Sequence, residues 1–449
     1  MKFGGTSVGD AAAMQQAALL VEMALPRAPL VVLSAMSGST NDLFAAARAA
    51  ESGDQSVSRR LQKGLVSKHH ACAEALFEDH VPDELARGLR QLFDELRVLL
   101  QGVYLLRELS PRSMDAIASI GERLSTRIFA SYLSRRDVQT EWLDARLLMR
   151  TDRRFGAARP LTEALQSIAR ERLLPRLAPI RAVVTQGYIG ATEDGLTTTL
   201  GRGGSDYSAA LFGAAIEAEE VQVWTDVEGI LTCDPRVVPQ ARPIPEISFA
   251  EAAELAAFGA KVLHPATIQP AVAANIPVTV RHTGKPEGRF TTIKSNVPAR
   301  KSVTALASRG PVSVLTVSST RMLAQSGFLA RLFEVFGRLE VSVDLVATAE
   351  VSVSLTVEPD APLVELQAEI GKFADVSVAE NRAIVAVVGD RLRHRQGLTR
   401  QIFEALQDLT IEMISMGASE TNLSLVVASR DTERALQSLH RALFEESLT

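Results

Sequence analysis

The chain of 449 residues has only two cysteines, Cys72 and Cys233. So few thiols, so far apart in sequence, build no disulfide framework and fit a reducing compartment, the cytoplasm. No apolar run approaches the roughly 18 residues of a membrane span, and no long apolar region follows Lys2 as a signal peptide requires. Positive charge is not in excess: 48 Lys and Arg stand against 53 Asp and Glu, a net charge of −5. The bulk field therefore does not invite nucleic acid or anionic lipid, and the Arg-rich run Arg150-Thr151-Asp152-Arg153-Arg154 is interleaved with acid. The seven histidines lack metal-ligand spacing. His69, His70 and His80 fall in a helical, polar stretch, and His264 precedes a proline. No protein-built metal site is expected. Two common phosphate-binding spellings, G-x-x-x-x-G-K-[ST] and G-x-G-x-x-G, are missing as well.

What is present begins at once. Lys2 stands just before Gly4-Gly5-Thr6-Ser7, and a helical segment starts near Asp10. Two glycines let backbone N–H groups approach a phosphate closely, and a helix behind them adds a positive dipole end. Lys2 supplies a full charge. The turn has the physics of a phosphate cradle, although a plain strand-to-helix turn would look similar.

Further along, β-rich runs alternate with helical ones. Leu30–Ser34, Ala182–Thr185, Val221–Trp224 and Pro277–Val280 read as buried strands. Ala- and Leu-rich periodic stretches lie between them, roughly at 42–50, 55–76, 83–100, 113–135, 161–173, 205–218 and 249–258. This alternation predicts an α/β domain, a mainly parallel central sheet with helices on both faces. The long helical stretch from about 52 to 134 is expected to form a mostly α subdomain. A domain boundary falls near Asn296–Lys301, giving a first domain over 1–298 and a second region over 299–449. The second region shows β-α-β-β-α-β order over about 311–380, the ferredoxin-like split order, then β-α-β-β-α over 381–449. A missing strand would expose a sheet edge. The strand-like run Val303–Ala307 is expected to fill it, so that the first unit is inserted into the second.

Three later motifs accompany the opening turn. They are Gly201-Arg202-Gly203-Gly204-Ser205-Asp206, Trp224-Thr225-Asp226-Val227-Glu228-Gly229-Ile230 with Asp234-Pro235-Arg236, and Phe258-Gly259-Ala260-Lys261-Val262-Leu263-His264-Pro265. In this order they resemble the motifs of aspartate kinases in the amino-acid-kinase family, and most of all the lysine-sensitive, monofunctional type. The resemblance covers nearly the whole chain. It implies an α/β/α sandwich followed by two ferredoxin-like ACT domains. It also implies phosphoryl transfer from ATP to the β-carboxylate of L-aspartate, with Mg²⁺ carried on the phosphates, feedback by an amino acid, lysine, and a homodimer joined through the ACT sheets. The acceptor carboxylate is already ionised at neutral pH, so no general base is needed and cations and N–H donors dominate.

Carried over residue by residue, the resemblance implies that Lys2 holds the moving phosphoryl group with Gly4 and Gly5, and that Asp206 lies close to the reacting groups. Arg202, Gly203, Gly204 and Ser205 would hold aspartate, together with Thr40, Ser34 and Glu122, the last meeting its ammonium. Glu122 by its sequence alone reads as an ordinary exposed helix residue. An N-cap role for Ser205 or Asp206 is the plainer alternative. Nucleotide contacts fall to Thr225, Asp226, Leu231, Arg236, Lys261 and Val262; Leu231 replaces a usual tyrosine and can pack on adenine but not hydrogen-bond. The effector pattern falls on Met322, Gln325, Gly327, Phe328, Leu329, Ser342, Val343, Asp344, Ala349 and Glu350, where Gln325 and Ala349 replace expected serines. Relatives also carry several strand residues before the lysine, where only Met1 precedes it here, so the strand feeding the phosphate turn is expected to be short. A sister carboxylate kinase and an inactive amino-acid sensor on the same fold are the rival readings.

Overall fold

The computed structural model describes residues 1–78, 80–259, 265–295, 297, 303–323 and 326–445. The chain forms two compact units, one of Met1–Ile230 with Val262–Ser295, the other of Leu231–Lys261 with Asn296–Thr449.

The first unit is built on a mainly parallel sheet. Its strands run in the order Gln139–Leu143, Arg181–Gln186, Leu30–Leu33, Lys2–Phe3, Val221–Thr225, Val278–His282 and Thr291–Lys294. All neighbours are parallel except the last pair. Lys2–Phe3 is central and two residues long, with Lys2 opposite Val32 on one side and Val223 on the other. Buried on both faces, Leu-Val-Val-Leu at 30–33 needs no polar alternation. Successive strand residues point to opposite faces. Phe3 packs 6.4 Å from the ring of Phe129, on helix Pro111–Arg135. Lys2 pairs with Asp206, on helix Gly204–Ala215. These two helices therefore cover opposite faces.

Helices Gln55–Phe77, Asp83–Leu106 and Pro111–Arg135 occupy the long helical stretch. They form no core of their own: Leu65, Leu89 and Leu96 belong to one cluster with Phe3, Leu33 and Trp224. His69 also departs from the polar-surface reading. It is fully buried, edge-on to Phe93, with its Nδ1 against Leu65 O, and burial lowers its pKa to about 4. The strand Gln139–Leu143 and the hairpin Ile189–Ala191 with Thr197–Thr199 escape the sequence reading. The first is half-buried and polar, and the second is three residues a side.

The second unit carries an antiparallel sheet in the order Val343–Thr348, Ser352–Val357, Ala305–Ser318, Asp375–Val388, Asn422–Ala428 and Met413–Met416. Its two central strands are continuous over 14 residues each. Ala305, Leu306 and Ala307 pair with Val388, Val387 and Ala386, whereas Val314 to Ser318 pair with Ala379 to Asp375. The register slips around Gly310-Pro311. Each half of the sheet has its own apolar cluster. One includes Leu315, Leu332 and Leu355, the other Leu306, Val387 and Leu425. Cys233 and Val238, from the 231–261 segment, lie in the latter. The His440 ring, buried, reaches Thr232 Oγ1 from Nε2 at 3.1 Å.

Candidate active site

The parallel strands of the first unit end, at their carboxyl ends, in the residues singled out by sequence. Open α/β sheets bind ligands in this crevice. After Phe3 the chain turns through Gly4 and Gly5 into the 3₁₀ turn Gly5–Val8. Gly4 N donates to Trp224 O at 3.3 Å, and Ser37 N donates to Gly5 O at 3.1 Å. A Cβ on Gly5 would lie 3.0 Å from Ala35 O, so the close approach requires glycine. Ser7 Oγ is hydrogen-bonded to Thr283 Oγ1 at 2.6 Å, and Thr283 N and Oγ1 both donate to Thr225 O. The Gly4-Gly5 turn is thus fixed to the end of the Thr225 strand.

Lys2 is 8% exposed, and its Nζ lies 2.7 Å from Asp206 Oδ1. The GRGGSD turn enters helix Gly204–Ala215 with Gly203 as N-cap at φ +72, a left-handed conformation that favours glycine. A Cβ on Gly204 would come within 2.6 Å of Tyr188 Cδ2. Ser208 Oγ donates to Gly204 O and accepts from Tyr188 N. The N-cap is Gly203, and Ser205 and Asp206 stand in the first turn of the helix. Arg202 is exposed and Ser205 half-buried.

Glu122 is not an exposed helix residue. It is 3% exposed; Oε1 accepts from Ala35 N at 3.3 Å, and Oε2 has no hydrogen-bond partner among the described residues. Burial raises its pKa to about 8. A buried acid with a free oxygen is a site for a cation. Ser34 is close by, its carbonyl accepting from Ser125 Oγ at 2.7 Å. Thr40 is half-buried in the first turn of helix Ser39–Ser52.

Of the nucleotide candidates, Thr225 Oγ1 donates to Asp226 Oδ1 at 3.1 Å, at the end of its strand in the first unit. Leu231 and Arg236 belong to the second unit. Leu231 is half-buried and bridges to Pro243; Arg236 is exposed and forks onto Asp234 at 2.6 Å. Lys261 and Val262 lie outside the described residues.

The effector candidates belong to the half of the second unit whose apolar cluster includes Leu315, Leu332 and Leu355. Gly327, at φ +90, caps helix Phe328–Arg338. Phe328 is buried against Phe373, whereas Leu329 is 40% exposed. Met322 N donates to Ser319 O, and Ser319 N to Val351 O, so Met322 borders the turn holding Ala349 and Glu350, both exposed. Ser342 and Val343 lead into the edge strand. Asp344 is engaged: Oδ1 accepts from Arg309 Nη1 at 2.8 Å, while Oδ2 is buried without a hydrogen-bond partner among the described residues. Gln325 lies outside the described residues.

Sequence reading missed Asp115, Ser125, Gly187, Tyr188 and Thr283, all of which contact or brace these residues. Their partners come from other segments, and none stands in a recognisable motif.

Comparison with known proteins identifies the family. Residues 1–282 match the amino acid kinase family model, and residues 385–443 match an ACT domain model. The chain is 42% identical to the lysine-sensitive aspartokinase 3 of Escherichia coli (strain K12), over 99% of this chain and 98% of that protein. Solved structures of E. coli aspartokinase III, one with lysine and aspartate in a T-state and one with aspartate and ADP in an R-state, each give a TM-score of 0.83. They cover 99% of both chains, at 41% and 42% identity respectively. The chain belongs to the amino acid kinase family, among the aspartokinases that join this catalytic fold to an ACT region.

Proposed function

We propose that the first unit transfers the γ-phosphoryl group of ATP to the β-carboxylate of L-aspartate, giving 4-phospho-L-aspartate, with the residue roles carried over above. The observation that supports this most is the Lys2–Asp206 pair at 2.7 Å, which joins the phosphate turn to the GRGGSD helix. A carboxylate oxygen attacks the γ-phosphorus, the bond to the β,γ-bridging oxygen breaks, and ADP leaves. No proton need move. Lys2, held at the Gly4-Gly5 turn, stabilises the charge that builds on the phosphoryl oxygens. Glu122 receives the substrate ammonium, and Arg202 with Ser205 receives a carboxylate, for which a guanidinium fork is suited.

Among the described residues no group of three His, Cys, Asp or Glu side chains converges as a protein-built metal site would. We assign Mg²⁺ to the nucleotide's own phosphates, where it would supply further positive charge. By chemistry we assign residues 1–298 to catalysis and 299–449 to regulation, with the module at about 311–380 inserted between 299–310 and 381–449. Lysine is the effector we assign, and a homodimer through the ACT sheets the assembly. Cys72 and Cys233 are free buried thiols, in keeping with a cytoplasmic enzyme. Among the described residues no helix is long and apolar enough to cross a membrane.

The test is ATP turnover with aspartate, glutamate and acetylglutamate in parallel, trapping the acyl phosphate as hydroxamate. Aspartate-dependent product is expected. Product only with another acid would move the assignment to a sister kinase, and binding without turnover to a sensor.

A further inference from the structure

Asp115 takes no part in the chemistry above, yet it is 2% exposed. A carboxylate that deep carries a desolvation penalty of several kcal/mol unless its oxygens are satisfied. Here they are, by donors from far along the chain. Thr199 Oγ1 donates to Oδ1 at 2.7 Å, Thr199 N to Oδ2 at 2.9 Å, and Gly156 N to both oxygens at 3.1 and 2.9 Å.

These partners border the Arg202 turn. Thr199 ends its strand, three residues before Arg202. Ala158 N donates to Thr199 O at 2.9 Å. Gly156 O packs so near Gly201, at φ +77, that a Cβ there would lie 3.2 Å from it. Asp115 is thus the shared acceptor that ties the Gly156 segment to the root of the turn. Its own helix, Pro111–Arg135, also carries Glu122, about two helical turns further on the same face.

We infer that Asp115 is a positioning residue: it fixes the Arg202 turn at a set distance from Glu122, so that both can grip one molecule of aspartate. The inference rests on the reading of Arg202 and Glu122 as substrate partners. Asp115→Asn keeps the shape but removes the charge that all four contacts share and sets an amide donor against the longer Gly156 N–H contact, so the turn is held less tightly.

The experiment is steady-state kinetics with both substrates varied. Asp115→Asn should raise the KM for aspartate at least tenfold and leave the KM for ATP within twofold. Thr199→Val should do the same more weakly, and Thr199→Ser should restore it. Thr199→Val decides the matter if Asp115→Asn does not fold. A second readout is the double variant with Glu122→Gln: its loss in aspartate kcat/KM should fall well short of the product of the single losses, because the two residues act through one alignment. Equal rises in both KM values, or an aspartate KM within twofold of the parent, would overturn the proposal. Arg202→Ala serves as the control. If it too leaves the aspartate KM unchanged, the site reading falls along with the inference; if it raises KM while Asp115→Asn does not, the inference falls alone.

Discussion

Glu122 shows how far one burial can move a residue's meaning. With its pKa raised to about 8, it is mostly neutral in the empty site at neutral pH. An arriving ammonium favours the carboxylate, so aspartate binding should release a proton. Affinity should therefore rise with pH until the empty site ionises on its own near 8. Calorimetry in buffers of different ionisation enthalpy would measure the release, and Glu122→Gln should abolish it; proton uptake in the parent would refute the assignment. The stability linkage has the opposite sense. A raised acid contributes stability present below its ordinary value of 4.5 and lost as pH climbs toward 8. The glutamine variant, without substrate, should lose that slope.

Lys2 makes a simpler demand. Its amine is buried beside the phosphate turn, where charge counts most in the transition state. Lys2→Ala should lower turnover by roughly 10²-fold or more with the fold intact. Near-normal turnover in a folded variant would remove it from the mechanism. Motif residues like Lys2 and Arg202 were legible because their chemistry is local in sequence. Asp115 and Thr283 were not, since the partners that give them a role arrive from 84 and 58 residues away.

At the scale of elements, the meeting of strand end and helix start governs geometry. Gly187 follows the strand Arg181–Gln186, and a Cβ there would lie 2.7 Å from Ser205 Cβ and 2.8 Å from Ser205 Cα. Something must shift, and backbone does not shift freely. Gly187→Ala should push the GRGGSD helix and lower kcat/KM for aspartate by roughly tenfold or more. Unchanged kinetics would mean the turn is more compliant than its packing implies. The buried strands were readable as apolar runs, and the helices by their period. Gln139–Leu143 was not, because it is only half-buried and alternates poorly. The continuity of Ala305–Ser318 was hidden too, since Gly310-Pro311 at its middle reads as a break.

For the molecule as a whole, feedback is the open property. Of two replaced hydroxyls in the effector pattern, Ala349 is described, exposed at the turn before Ser352–Val357. Asp344, which with Glu350 is expected to meet lysine, is already engaged by Arg309, which also pairs with Glu358. Lysine is therefore expected to inhibit weakly. A hydrogen bond to a charged group is worth about 1.5–3 kcal/mol, so Ala349→Ser should lower the half-inhibiting lysine concentration roughly tenfold. An unmoved inhibition curve would remove Ala349 from the site.

The placement of Cys233 and Val238 in the core around Leu306, Val387 and Leu425 has a consequence for engineering. Cutting the chain at the chemical boundary near residue 298 would not release a deregulated catalyst. It would strip the 231–261 segment, with Leu231 and Arg236, of the apolar surface it folds against. Such a truncation should lose ATP affinity and aggregate on heating. Light scattering and nucleotide titration would check this; a soluble fragment with parental ATP affinity would contradict it. A grafted foreign sensor would then have to bring its own version of this segment, so the sensor and the segment proposed to meet the nucleotide are inherited as one part.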